Sequence, residues 1–478
     1  MKQLLWFFFL PLSLFASHVI NDSVVKVFST VKEYDYSRPW APPLTFRKTG
    51  SGFIIEGNQI ITNAHVVANA AYIEVHTSRN RKKFEAKVKM IGHDCDLALL
   101  EIEDPNFFED KVPLCFSEDI LPREEWVQVY GFPVGGNELS ITRGIVSRVE
   151  LSRYVHSGEK LLISQIDASI NPGNSGGPVI ADGSVVGIAH QGYRIGQNIG
   201  YMIPIPIILH FLSEDPQSYH GFPCSTFSYQ QMENEGLRHF YGLQKEDGGI
   251  LVTDVPENHF FHDLLQRGDI LLEVDGFLID SMGSVVIEEI DLTLPFQFLI
   301  LMKNFGDPIS LTILRERERE RIEVQGKIDY TKKGKPLVPY DIFEKKPTYY
   351  IYGGCVFQPL IGNLIRDSLP RIDFLHYALR GKVNQKRNEI VVLTSVLDDR
   401  INSGYQDLEN KVIDKVNSKK IVNLSDFITT IEESQDPFIV ITTIDEVEIV
   451  LNRELVQERE KGVLSHYFIP SDRSEDLR

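Results

Sequence analysis

From Ile20 to about Ser213, short apolar runs such as FII, QII, LALLEI and VQVY alternate with turns of glycine, proline and asparagine, and no amphipathic helical stretch lasts more than a few turns. That is the pattern of an all-β domain, because strand side chains alternate between faces and each strand ends in a turn that reverses the chain. The 478 residues suffice for about three domains, and 42% hydrophobic content is ordinary for packed cores.

Within this domain the informative turn is Asn171–Pro178, NPGNSGGP. Ser175 stands between Asn174 and the pair Gly176, Gly177, and glycine adopts backbone angles that a Cβ forbids, so the loop can turn its amides inward. A serine hydroxyl attacks a peptide carbonyl only when a base takes its proton and donors receive the developing oxyanion. The amides of Gly173 and Ser175 are candidate donors, in a loop that also includes Asn174. On local composition alone the same residues read as a plain turn between strands; a partner histidine and carboxylate tip the reading towards a nucleophile.

Both partners lie upstream. His65 ends TNAH, just past the hairpin FII-EGN-QII, and Asp96 opens the buried strand DLALLEI. Asp94 competes with Asp96, and His93, His156 and His190 compete with His65, though none of these histidines stands in a TNAH-like context. The wording GSGF, TNAHVV, DLALLEI, GFPVGG, TRGIVS, IDASINPGNSGGP and IGYMIP, in that order, resembles the Deg/HtrA serine proteases, closest to their plant-type Deg subgroup, over residues 20 to 330. The resemblance implies a chymotrypsin-like double β-barrel over residues 18–215 with His65, Asp96 and Ser175 as triad and Gly173, Asn174 and Ser175 around the oxyanion hole. It implies a specificity pocket from Ser169, Ile170, Gly187, Ile188 and Ala189; His190, just beyond the wall, either narrows or polarises the pocket or is a solvated loop residue. A guanidinium entering such an acid-free pocket would lose water without gaining a carboxylate, so small to medium aliphatic residues are the expected cleavage sites. The family also relays peptide binding to the oxyanion loop through an arginine; Arg153, in LSRYVHSGE, is the candidate, and a solvated surface arginine is the alternative.

A polar stretch near Pro216 separates a second unit, residues 221–330, in which RGDILLEVDG, a late apolar helix and a closing charged hairpin resemble a PDZ domain. Such a domain adds a chain end as a strand and holds its carboxylate on loop amides. Gly221, Phe222 and Phe227 bound that loop here, in wording that departs from the usual GLGF. Beyond the linker TKKGKPLVP, residues 340–455 look like the degenerate second PDZ-like α+β domain of plant-type Deg proteins, followed by a charged tail, 456–478, mobile outside HYFIP.

The balance of 49 basic against 67 acidic residues, a formal charge of -18, repels nucleic acid and anionic lipid and excludes both as partners. Residues 1–17 read as a signal peptide for a periplasmic or secreted protein, and their apolar run is too short for a membrane span. Cys95, Cys115, Cys224 and Cys355 follow no metal spacing, and the neighbours His93 to Asp96 would point to opposite faces, so neither a metal nor another cofactor is expected. The loop EYDYSRPWAPPLTF leaves Tyr34, Tyr36, Trp40 and Phe46 needing cover, either in the trimers (or hexamers) that the resemblance implies or against their own barrel. The expectation is a mainly β, ATP-independent endopeptidase that degrades unfolded or damaged proteins. The alternative is a holdase or scaffold on the same fold.

Overall fold

In a computed structural model the described residues are 20–79, 82–136, 138–192, 199–224, 227–244, 247–315, 321–367 and 372–478. The expected signal segment, 1–17, and the tip of the charged hairpin, 316–320, lie outside them.

The β-branched segment VVKVFSTVKE forms β1 (Val24–Glu33) and buries Val24, Val25, Val27 and Val31. It is joined by β2 (Leu44–Ile55), β3 (Gln59–Thr62), β4 (Ala70–Thr77), β5 (Phe84–Gly92) and β6 (Leu97–Glu101) in a closed barrel of order β1-β2-β3-β6-β5-β4. A second closed barrel, in the order β10-β11-β12-β9-β8-β7, is built from β7 (Trp126–Gly131), β8 (Ser140–Arg153), β9 (Lys160–Ile166), β10 (Pro178–Ala181), β11 (Ser184–Gly192) and β12 (Gly200–Pro204). Closure leaves neither barrel an open sheet edge. The helix Ile205–Ser213 then leads the chain to the second domain.

That domain is a sheet of order β13-β14-β15-β16-β17, formed by Ser228–Gln231, Ile250–Asp254, Ile270–Val274, Pro308–Leu314 and Arg321–Lys327. RGDILLEVDG behaves as read: Gly268 turns the chain at φ +99° and β15 ends at Asp275 and Gly276, both at positive φ. The run FQFLILM is the helix Gln297–Leu301, burying Phe298, Ile300 and Leu301, and RERERER joins the two paired strands β16 and β17. One hydrophobic core runs from the second barrel into this domain, joining Phe211 and Ile208 to Phe222, Phe261 and Phe296.

The third domain has its own sheet, ordered Tyr350–Tyr352, Cys355–Pro359, Val391–Val396, Lys411–Val416, Phe438–Thr443, Glu448–Asn452. The last residues are not the mobile tail expected. Arg453–His466 is a helix that buries Val456 and Val463, Ile469 is buried, and the Ile351 and Ser474 amides donate to the Asp472 and Tyr349 carbonyls at 2.6 and 3.0 Å. Apolar residues at helical spacing within the charged stretch LVQEREKGVL are what compel this packing. The aromatic loop after β1 also has cover that neither expectation named. Tyr36 packs among Leu337, Val338, Leu360 and Phe374, and the Trp40 ring meets Tyr349 edge-on at 6.0 Å, so the third domain covers both. All four cysteines are free: Cys95 and Cys355 are buried, Cys224 half-buried, and Cys115 exposed. Among the described residues no helix is long and apolar enough to cross a membrane.

Candidate active site

His65 lies in a single helical turn, Ala64–Val67, fixed by the residues before it. Thr62 donates its hydroxyl to the Ser51 carbonyl at 2.7 Å, while the Asn63 amide side chain and the Ala64 N–H donate to the Asp96 carbonyl at 2.9 and 3.1 Å. Asp96 sits at φ 54°, a left-handed conformation that aspartate tolerates better than most residues, at the end of the turn HDCD. Its fully buried carboxylate accepts from the His65 N–H at 2.7 Å through Oδ1 and contacts His65 Nδ1 at 2.6 Å through Oδ2. Burial alone would push this carboxyl up, yet His65, His156 and His190 outweigh that effect and hold it well below the usual carboxylate range.

The nucleophile loop is held from the first barrel by Ser51, whose N–H donates to the Ser175 carbonyl at 2.8 Å. Its hydroxyl donates to the Gly173 carbonyl at 2.7 Å and accepts from the Phe132 N–H at 2.8 Å. Gly173 has φ +101°, and a Cβ there would stand 2.4 Å from the Phe132 carbonyl oxygen, so the position requires glycine. The Pro172 carbonyl accepts from the Val134 N–H at 2.8 Å, and since a trans peptide points its N–H opposite its C=O, the Gly173 N–H faces away from Val134. The Asn174 N–H is spent on the Asn171 carbonyl at 2.9 Å, which removes it from the expected donors and leaves Gly173 and Ser175.

His65, Asp96 and Ser175 line one cleft of about 700 Å³. The Ser175 hydroxyl donates to the His190 carbonyl at 3.1 Å and not to His65, a geometry that one side-chain rotation changes. Of the expected pocket residues only Ile170 lines the cleft; Gly187, Ile188 and Ala189 are buried behind it and Ser169 lies outside its lining. His190 and Gln191, immediately after that segment, line it instead. His190 is no solvated loop residue: it is 1% exposed, and its Nδ1 lies 2.8 Å from Asp96 Oδ2. Among the described residues His65, Asp96 and His190 are the one grouping with metal-ligand spacing, but Asp96 already engages the His65 ring and main chain, so a proton is the natural occupant.

Two contacts tie this site to the other domains. Asp94, the rival carboxylate, accepts from the Tyr219 hydroxyl at 2.5 Å and the Phe222 N–H at 3.0 Å, so part of the expected peptide-binding loop is committed to the protease domain. Gly221 packs against the same carboxylate, where a Cβ would meet Oδ2 at 2.1 Å, and Phe227 is buried against Phe261 and Phe296. Arg153 is exposed, donates to the Gly158 carbonyl at 2.8 Å and lines a second cavity shared with Phe222, Phe227 and Tyr229. Meanwhile the lead-in to the third domain reaches the catalytic cleft: Phe343 stacks on His93 and His156 with centroids at 4.4 and 4.3 Å.

Residues 50–188 match the trypsin-like peptidase domain family, and residues 338–476 match a PDZ domain family. The chain is 36% identical to protease Do-like 4, mitochondrial, of Arabidopsis thaliana over 96% of its own length and 86% of that protein's. The chain belongs to the Deg/HtrA family of serine proteases. Protease Do-like 2, chloroplastic, of the same plant is 35% identical over 95% of this chain and 75% of its own. The solved HtrA-type protease AlgW with a tripeptide shares the fold, with a TM-score of 0.52 at 21% identity over 67% of this chain and 97% of its own. The family match accounts for the two barrels, and relatives named as mitochondrial or chloroplastic place family members in organelles.

The triad positions were legible through their motif words, and so, unused, were two supports: Ser51 stands in GSGF and Asn63 in TNAH. His190 is legible in sequence only as a rival to His65 and a neighbour of the pocket wall, and Phe343 carried no signal, because it reaches the site through tertiary packing from a distant segment.

Proposed function

We propose that this Deg/HtrA protease is an ATP-independent endopeptidase for unfolded or damaged proteins, in which Ser175 attacks, His65 transfers the proton and Asp96 orients and stabilises the imidazolium. The Gly173 and Ser175 amides receive the oxyanion. The observation that carries this reading is the 2.6 Å contact of His65 Nδ1 with a buried Asp96 in the cleft that Ser175 lines. Cleavage follows small to medium aliphatic residues, a reading supported by apolar Ile170, the one expected pocket residue that lines the cleft. We further propose action in an exported compartment, from the apolar leader, and assembly through trimers, for which Tyr36 and Trp40 are already spent within the chain. PDZ binding of chain ends, with Arg153 as relay, belongs to the same proposal.

The test is digestion of unfolded casein by the parent and by Ser175→Ala, with cleavage sites mapped by mass spectrometry. Loss of cleavage in the variant and aliphatic residues at the cut sites are expected. Undiminished digestion would remove Ser175 as nucleophile, and a predominance of arginine or lysine would remove the pocket. The resting Ser175 hydroxyl and the Phe343 contact favour a second, holdase-like reading. Suppression of casein aggregation by a parent that cleaves nothing would establish that reading instead.

A further inference from the structure

His190 ends a stretch of β11, Val185 to His190, in which every residue is buried. The register of β11 against β12 shifts between Ala189 and Gln191, so His190 is the extra residue of a bulge, and Ile188, Ala189 and His190 are buried in succession. The ring packs on Tyr154 at a centroid distance of 4.6 Å and meets His65 edge-on at 6.3 Å. Its Nδ1 is 2.8 Å from Asp96 Oδ2 but off the hydrogen-bond line, and neither ring nitrogen has an aligned partner. Its carbonyl accepts the Ser175 hydroxyl. One residue therefore touches Asp96 with its ring and Ser175 with its main chain.

A buried carboxylate needs donors to remain charged. Asp96 Oδ1 has the His65 N–H, whereas Oδ2 faces only the two imidazoles. A bare lone pair on His190 Nδ1 would repel the carboxylate at 2.8 Å, so the favoured neutral tautomer carries its proton on Nδ1 and leaves Nε2 bare.

We propose that His190 is a positioning residue for proteolysis, supplying a second imidazole N–H to Asp96 and holding its carboxylate in the orientation that His65 requires. The proposal rests on the reading of His65, Asp96 and Ser175 as the triad. It assigns His190 no contact with the scissile bond; its effect passes through Asp96 and falls on turnover.

The test compares His190→Leu, which fills the site without a donor, with His190→Asn, whose side-chain amide N–H stands about where Nδ1–H stood. On labelled casein the leucine variant should lose about 10- to 100-fold in kcat with KM within about twofold, the size expected for a hydrogen bond to a charged group. The asparagine variant should return to within about fivefold of the parent, and melting temperatures establish that both are folded. Parent-like kcat in the leucine variant, an asparagine variant that falls as far, or a loss confined to KM overturns the proposal. If leucine prevents folding, ¹⁵N-histidine NMR of the Ser175→Ala protein decides: Nδ1-protonated His190 supports it and the Nε2-protonated tautomer overturns it. Ser175→Ala also separates the two failures, since cleavage surviving in that variant sinks the triad, whereas a dead Ser175→Ala beside an unaffected His190→Leu sinks only the role of His190.

Discussion

Glu344 Oε2 lies 2.6 Å from His93 Nε2, although 251 residues separate the two in sequence. The contact closes a strap over the catalytic cleft. The Glu344 N–H donates to Asn69 Oδ1 at 2.5 Å and the Asn69 N–H donates to Glu344 Oε1 at 2.8 Å, with Phe343 stacked on His93 and His156. Removing the stacked ring should release the third domain from the cleft. Each aromatic contact is worth about 0.5–1.5 kcal/mol, so losing both through Phe343→Ala should raise kcat/KM on casein by about 5- to 150-fold. Unchanged kinetics would show that the strap does not limit access.

Acid should loosen the same strap. Burial pushes Glu344 up, but the hydrogen bond and charge of His93 outweigh it and hold the carboxyl below its ordinary value. His156 is pushed down to about 3 by burial and by the neighbouring His65, His93 and His190, against the opposing pull of Asp96. A carboxylate lowered on docking favours the docked state above its free pKa of about 4.3 and loses that contribution as pH falls through the docked value. Stacking of Phe343 adds to the burial of the His156 imidazole, so its protonation opposes the docked state increasingly as pH falls below about 6.5. Both signs agree. In Ser175→Ala protein, hydrogen-exchange protection of residues 341–346, corrected for intrinsic rates, should fall between about pH 7 and pH 5. Protection that rises on acidification would reverse the assignment.

Repeating local patterns made most of the fold legible. Strand alternation exposed the barrels, and RGDILLEVDG marked its own strand and turn. What was not legible depends on exceptions to period or on distant pairing. His190 ends a run of six buried residues in β11, where no alternation marks which side chain turns towards the site, and the apolar spacing in Arg453–His466 is diluted by LVQEREKG until it reads as a charged tail. Tyr36 and Trp40 announced that they needed cover; their partners lie some three hundred residues away, in a domain whose position no local pattern encodes.

Asp96 and Asp94 should separate cleanly on mutation. Asp96→Asn removes the charge that fixes the His65 tautomer and should cost about 10⁴-fold in kcat, the size of the same change in a trypsin-type enzyme. Asp94 instead holds Tyr219 and Phe222 across the domain boundary, so Asp94→Asn should leave basal casein cleavage within about fivefold while lowering thermal stability, because a buried donor loses a charged acceptor. The opposite ranking of the two kcat values would exchange their roles.

Ser51→Ala deletes a hydroxyl that satisfies the Phe132 N–H and the Gly173 carbonyl at once, inside a buried junction between the barrels. Two main-chain groups then lose their partner, a loss of about 1–3 kcal/mol. The Gly173 peptide would also lose an anchor beside the oxyanion site, so kcat should fall more than KM changes. Calorimetry with steady-state kinetics checks both; a variant as stable and as fast as the parent would mean that water replaces the hydroxyl.

Deleting residues 453–478 should unfold the third domain rather than trim a tail. The deletion strips Val456, Val463 and Ile469 from its core and leaves Tyr349 and Ile351 without the main-chain partners they have in Ser474 and Asp472. Losing one large buried aliphatic side chain typically costs about 2–5 kcal/mol, and three together, about 6–15 kcal/mol, are as large as the margin of about 5–15 kcal/mol on which a domain rests. The consequence reaches the protease domain, because Tyr36 and Trp40 are covered by this one. Trp126 is already exposed in the intact chain, so its emission should change little, whereas Trp40 leaves its edge-on contact with Tyr349 for water. A red shift of tryptophan emission with loss of one calorimetric transition is the expected result. A truncated chain that keeps both the parent's emission maximum and its transitions would show that the final helix only decorates the surface.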